Sequence, residues 1–171
     1  MAARPKAGTT AREPRVRYRV SVRADALRQR RALLDVNVLI ALLDADHLHH
    51  ARAAAWLGEN IAAGWASCPI TQNGCVRIMS QPGYPNALPV ARVAERLREA
   101  VETAHHVFVP EDLSLLDAQK FDTEQLLGHR QVTDAYLLGL AVGHGLRLVT
   151  FDANIAMRVV RDAAAGFVVS L

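Results

Sequence analysis

The chain contains Ala32-Leu33-Leu34-Asp35-Val36-Asn37-Val38-Leu39-Ile40-Ala41-Leu42-Leu43, an apolar stretch interrupted by one acid and one amide. Ala32 to Asp35 reads as a buried strand that runs directly into a helix, Asn37 to Leu43. The same alternation of short apolar runs with longer stretches of helical period continues to the C-terminus. Leu48 to Asn60 is alanine-rich and helical, ending near Gly58 and Gly64. Gly64 to Cys68 reads as a second strand closed by Pro69, followed by a helix from Ile70 to Met79 and the breakers Gln81-Pro82-Gly83-Tyr84-Pro85. Pro89 suits a first helical turn, and Val90, Val93, Ala94, Leu97, Ala100 and Val101 then recur at the spacing of an amphipathic helix face. His106 to Val109 is a third strand, and residues 111–130 read as loop plus a helical turn. Thr133 is placed to cap a helix whose residues Ala135 to Val142 are apolar all round, which predicts burial on several sides. Leu146 to Phe151 is a fourth strand, Asn154 to Val160 a short helix, and Gly166 to Val169 a fifth strand. Strands separated by helices rather than by tight turns predict an α/β fold with a parallel sheet flanked by helices.

With 171 residues there is room for one domain and a short appendage. A hydrophobic fraction of 51% with 22% charged residues excludes a disordered or collagen-like chain. The longest strictly apolar run, Val38 to Leu43, falls far short of the roughly 18 to 20 residues of a membrane span, so no membrane association is expected. Two cysteines, Cys68 and Cys75, are too few for a disulfide framework and lack the spacing of a structural zinc site. A reducing cytoplasm fits, and both read as small core residues. The net charge of +3 hides an asymmetry: residues 1–31 hold ten Lys and Arg against two acids, a charge of +8, leaving −5 for residues 32–171. Lacking the apolar core of a secretory signal, residues 1–31 read as a basic, flexible N-terminal arm outside the fold. Such an arm can attract phosphate backbones, although a plain tail, or translation begun upstream of the true start, is the simpler reading. Residues 32–171 form the predicted domain.

In parallel sheets ligands bind outside the carboxyl ends of the strands. Asp35 closes the first strand there, Asp152 closes the fourth, and Asp134 sits in the first turn of the buried helix that precedes the fourth. Taken singly, each acid is best explained as a helix or turn cap. Jointly the weighing changes. Two carboxylates about 4 Å apart repel by about 4 kcal/mol at an effective dielectric of about 20, so three of them call for a cation or a proton. Oxygen ligands without a supporting Cys or His set point to Mg2+ or Mn2+. Cations held in this way commonly orient a water and offset charge during phosphodiester cleavage.

Four stretches carry a family resemblance: Leu33 to Ile40; Cys68-Pro69-Ile70-Thr71-Gln72-Asn73-Gly74-Cys75-Val76-Arg77-Ile78; Gly128 to Leu138; and Leu148-Val149-Thr150-Phe151-Asp152. In this order they resemble the PIN-domain ribonucleases, and among those the VapC toxins of bacterial toxin–antitoxin modules. The resemblance implies a three-layer α/β/α PIN-like domain with four or five parallel strands and an acidic pocket that binds Mg2+ or Mn2+ and hydrolyses RNA. It also implies a VapB-like antitoxin, whose C-terminal segment crosses the pocket, and a homodimer. Asp35, Asp134 and Asp152 match the family's metal-binding aspartates. Gln72 stands where many members have a glutamate that helps hold a metal or its water. It keeps an acceptor oxygen but loses the charge, which predicts weaker binding of a second metal and slower turnover. The alternative is a weak or inactive module that binds RNA or antitoxin without cleavage.

Around these acids, Asn37 reads first as a helix cap and second as support for Asp35 or a phosphate contact. Thr133 and Thr150 sit beside matching aspartates and are candidates to orient them, with capping and strand packing as the plain readings. Arg77 and Arg130 are the candidates for RNA-phosphate contacts. In the run Asp44, Asp46, His47, His49, His50, the adjacent His49 and His50 cannot share a helix face, so surface or helix-start histidines are favoured over a zinc site. Trp56 and Trp65 read as packing residues, and with 5% aromatics nothing resembles a base-stacking platform. Neither a dinucleotide-binding glycine motif nor a P-loop is present, and an aspartyl-phosphate phosphatase would need an acid at the position of Asn37.

Overall fold

Ala32–Leu34 (β1), Trp65–Ser67 (β2) and Arg147–Thr150 (β4) are buried at every position, as strands covered on both faces must be. The structure, a computed structural model, describes residues 29–171. With His106–Phe108 (β3) and Val168–Ser170 (β5), these strands pair in parallel in the order β3-β2-β1-β4-β5. Helices Val36–Leu43 (α1), His50–Asn60 (α2), Pro69–Met79 (α3), Val90–Val101 (α4) and Gln131–Gly143 (α5) cover the two faces. On one face Ala32, Leu34 and Trp65 pack with Val38, Leu39, Cys75, Met79 and Val93 from α1, α3 and α4. On the other, Leu33, Ala66 and Leu148 pack with Ala135, Leu137, Leu138 and Leu140 of α5. The result is the three-layer α/β/α arrangement expected.

Strand order sets where chemistry can gather. The chain leaves β1 toward β2 and β3, then returns to lay β4 and β5 on the opposite side of β1. The crevice beyond the carboxyl ends of β1 and β4 is therefore the switch point at which open α/β sheets bind ligands.

Several local expectations are corrected. Asp35, not Asn37, caps α1: its Oδ1 accepts from Val36 N at 2.6 Å, and Asn37 lies exposed within the first turn. Thr133 does not cap α5, which starts two residues earlier at Gln131 without a side-chain cap on Arg130. Gln131 Oε1 instead accepts from Leu127 N at 2.9 Å, tying the helix start to the preceding loop. The helix expected from Asn154 to Val160 shrinks to a 3-10 turn at Met157–Val159. The segment 117–123 takes the backbone groups that a helix would use: Asp122 N donates to Val159 O at 2.7 Å, Arg161 N donates to Lys120 O at 3.0 Å, and Val160 bridges Phe121. Of the predicted basic arm, residues 1–28 lie outside the described residues. Arg31 belongs to the domain, since its carbonyl accepts from Arg147 N at 3.0 Å, and the Arg30 guanidinium lies 4.6 Å from the centre of the Phe167 ring.

Candidate active site

Asp35 is held by both central strands. Its N–H donates to Val149 O at 2.9 Å, and its Oδ2 accepts from Thr150 Oγ1 at 2.9 Å. Thr150 Oγ1 also accepts from Asp152 N at 3.1 Å, so one buried hydroxyl fixes the Asp35 carboxylate and the backbone of Asp152 together. Asp152 Oδ1 accepts from Asn154 N at 2.7 Å, turning the chain away after β4. Asp134 arrives from the first turn of α5 on the other face of the sheet.

Neighbouring negative charge reaches Asp35 and Asp134. Burial pushes the Asp35 carboxyl up; hydrogen bonds from Thr150 and Val36 oppose that shift, and the charge of Asp152 adds to it. Burial, then the charges of Asp35 and Asp152, push Asp134 up to about 6. This is the like-charge crowding expected of carboxylates gathered without a counter-ion. Among the described residues, no group of three or more His, Cys, Asp or Glu is placed to hold a metal ion together. The chemistry of the donors nonetheless suits a hard divalent cation: oxygen ligands only, sharing a charge repulsion that a cation would relieve.

A cleft of about 470 Å³ opens over Asp35 and Asp134. Asn37 and Val36 of α1, Thr133 of α5, and Ile70, Asn73, Gly74, Arg77 and Ile78 of α3 complete its wall. Arg77 and Asn37 therefore stand beside the acids, as does Thr133, whereas Arg130 is exposed at the start of α5 and Asp152 lies outside the wall. Gln72 is not brought to the cleft. Its Nε2 donates to Ser67 Oγ at 2.9 Å, and that hydroxyl is bonded to His106 Nε2 at 2.8 Å. Helical spacing accounts for this, because Ile70, Asn73, Gly74 and Arg77 share one face of α3 and Gln72 points about 100° away from Asn73. The same spacing, applied to the sequence, would have found Asn73, which our reading of the sequence missed.

The sequence matches the PIN domain over residues 32–160. The chain belongs to the PIN-domain family. This PIN domain is 53% identical over 133 residues to ribonuclease VapC44 of Mycobacterium tuberculosis, spanning 78% of the chain and 94% of that relative. It is 45% identical over 125 residues to ribonuclease VapC38 of the same organism, covering 72% and 86% of the two chains. To ribonuclease VapC39 it is 42% identical over 138 residues, covering 80% and 96%. These are VapC-like PIN domains, and the likeness spans nearly the full length of each.

Proposed function

We propose that this PIN domain is a VapC-type toxin, an endoribonuclease that hydrolyses RNA phosphodiester bonds in the cytoplasm with the help of Mg2+ or Mn2+. The observation that supports the metal site is geometric: Asp35 and Asp134 line one cleft, and the Thr150 hydroxyl ties the Asp35 carboxylate to the backbone of Asp152, while burial and neighbouring charge raise Asp134 to about 6. Asp35, Asp134 and Asp152 would hold the cation. When bound, it supplies charge neutralisation and a water made acidic enough to yield a nucleophile at neutral pH. The chain's own groups do the rest. Thr150 keeps Asp35 oriented through its 2.9 Å hydrogen bond. Arg77, with Asn37 and Thr133 in the same cleft wall, positions the phosphate, and Arg130 offers a further phosphate contact at the exposed start of α5. A VapB-like antitoxin covers the cleft, and the toxin forms a homodimer.

Cleavage of single-stranded RNA by the purified chain tests this directly. Cutting is expected in Mg2+ or Mn2+, none in EDTA, and none by Asp134→Asn. Calorimetric titration should show Mn2+ binding that Asp35→Asn removes.

A second reading is favoured by one observation, the hydrogen bond that commits Gln72 to Ser67. On that reading the domain binds RNA or antitoxin without cutting. Absence of cleavage in either metal, with no gain in Gln72→Glu, would select it.

A further inference from the structure

We propose that His47, His49 and Phe151 form a stacking platform for a base of the single-stranded RNA, on the flank of the carboxylate site opposite the Arg77 cleft. The inference rests on the ribonuclease reading above. The His49 ring lies 4.6 Å from Phe151, centroid to centroid, at 34°, and the His47 ring lies 5.7 Å from His49 at 57°. Phe151 is the residue immediately before Asp152, so this ladder of three rings ends next to one of the three acids. All three residues are half-buried, and Phe151 also packs against the apolar cluster that holds Val38, Leu39 and Ile40 of α1.

Topology sets the ladder's place relative to the cleft. Arg77, Asn73 and Ile70 belong to the helix that follows β2, Asp35 ends β1, and Phe151 follows β4. Along the order β2-β1-β4 the carboxyl edge thus presents a cationic wall, then the acids, then the rings. A single strand crossing that edge would meet a phosphate contact on one side of the acids and a π-surface on the other. Single-stranded RNA is held in this way, by charge along the backbone and by aromatic faces under splayed bases.

The platform is built before any ligand arrives. His47 N donates to Asp44 O at 3.1 Å, His50 N donates to His47 O at 2.8 Å, and His50 Nδ1 bonds Ala41 O at 2.8 Å, fixing both ends of the loop to α1. Asp44, buried beneath, is occupied by Tyr84 Oη at 2.5 Å, by Asn86 Nδ2 at 3.1 Å and by Asp46 N at 3.1 Å. His47 Nδ1 accepts from His49 N at 3.1 Å, which ties the outer ring to the backbone that carries the next one. Leu48, which separates His47 and His49 in the chain, is an apolar side chain 89% exposed.

The test uses the full chain in EDTA, where RNA binds uncut, and short single-stranded RNAs carrying 2-aminopurine at successive positions. Quenching is expected at one or two neighbouring positions, within two nucleotides of the bond that is cut when Mn2+ is restored. His49→Ala should abolish that quenching and weaken binding about ten-fold, while His49→Phe keeps both. His47→Ala, at the outer end of the ladder, should lower both partway, with circular dichroism verifying the fold. If RNA binds as tightly and the probe is quenched as fully in both alanine variants, the rings serve packing alone and the proposal is overturned, with the ribonuclease reading intact. If the parent chain neither binds nor cuts RNA in any metal, the ribonuclease reading fails first and the platform with it.

Discussion

Asp134 is held at about 6 by burial and by the charges of Asp35 and Asp152, against 3.8 for an ordinary aspartate. The folded state therefore keeps a proton that the unfolded chain has lost, and stability declines as pH rises from about 4 through about 6. Above that range the full penalty stands unless a cation replaces the proton. Asp134→Asn should therefore melt higher than the parent in EDTA at pH 7.5. Because half-exposed charges are screened by solvent, the gain is on the order of 1 kcal/mol, and it should vanish near pH 4. Melting curves at the two pH values check this, and equal midpoints at pH 7.5 would contradict it. Mn2+ should raise the parent's melting point at pH 7.5, less so at pH 5 where protons compete, and not at all in Asp134→Asn. Thr150 acts by hydrogen bonding alone, through a hydroxyl that serves both Asp35 and Asp152. Thr150→Val keeps the shape and removes both bonds. A loss of about 1 to 3 kcal/mol in urea unfolding is expected, together with slower RNA cleavage, because the Asp35 carboxylate is then held only by Val36 N.

Helix packing makes the same substitution act in opposite directions at two glycines. A Cβ on Gly74 of α3 would lie 2.8 Å from Val36 Cγ2, so α1 and α3 are as close as they are only because that carbon is missing. Gly74→Ala should cost about 1 to 3 kcal/mol and disturb the cleft wall that both helices build. Gly58 in α2 has nothing within 4 Å of the corresponding position, and Gly58→Ala should add about 0.5 to 1 kcal/mol by helix propensity alone. Urea denaturation of the two variants separates packing from propensity. Legibility in the sequence follows the same division between local and distant causes. β1 and β4 were legible because double burial strips a strand of polar alternation, and Asp35 and Asp152 were legible because they end such runs. At the start of α1 the plain reading of Asp35 as a cap holds and that of Asn37 does not, because Asp35, given to the strand, also caps the helix through its own side chain. The turn at Met157–Val159 was not legible, since the partners that prevent a helix lie about 40 residues earlier at Lys120 to Asp122. His49 on Phe151 was equally hidden, being a contact between residues 102 apart in the chain. Gln72 and Asn73 differ: their divergence is local angular geometry, and a helical wheel separates them.

Charge divides the whole molecule in a way that no single element shows. Residues 1–28 hold eight Lys and Arg against two acids, a charge of +6, so residues 29–171 carry −3. An acidic domain must bind an anionic polymer at a site whose own acids repel it. Arg77 and Arg130 supply local attraction and a bound cation would offset the three aspartates, yet the long-range field of the domain opposes approach. The basic segment changes that sign. Since Arg30 and Arg31 are already engaged by the domain, through the Phe167 ring and the Arg147 amide, the informative deletion removes residues 1–28 and spares these two. Single-stranded RNA releases about 0.7 counterion for each phosphate neutralised, so eight Lys and Arg set an upper bound of about 6 on the change in log–log salt slope, which the two acids of the segment lower. Deletion of residues 1–28 should flatten the salt dependence of RNA affinity by about 2 to 4 and slow association at low salt, while the position of cutting stays the same. Anisotropy titrations from 50 to 300 mM salt measure the slope, and mapping of cleavage ends measures the position. An unchanged slope would place the whole electrostatic attraction in the folded domain, and a moved cut would mean that residues 1–28 help choose the bond.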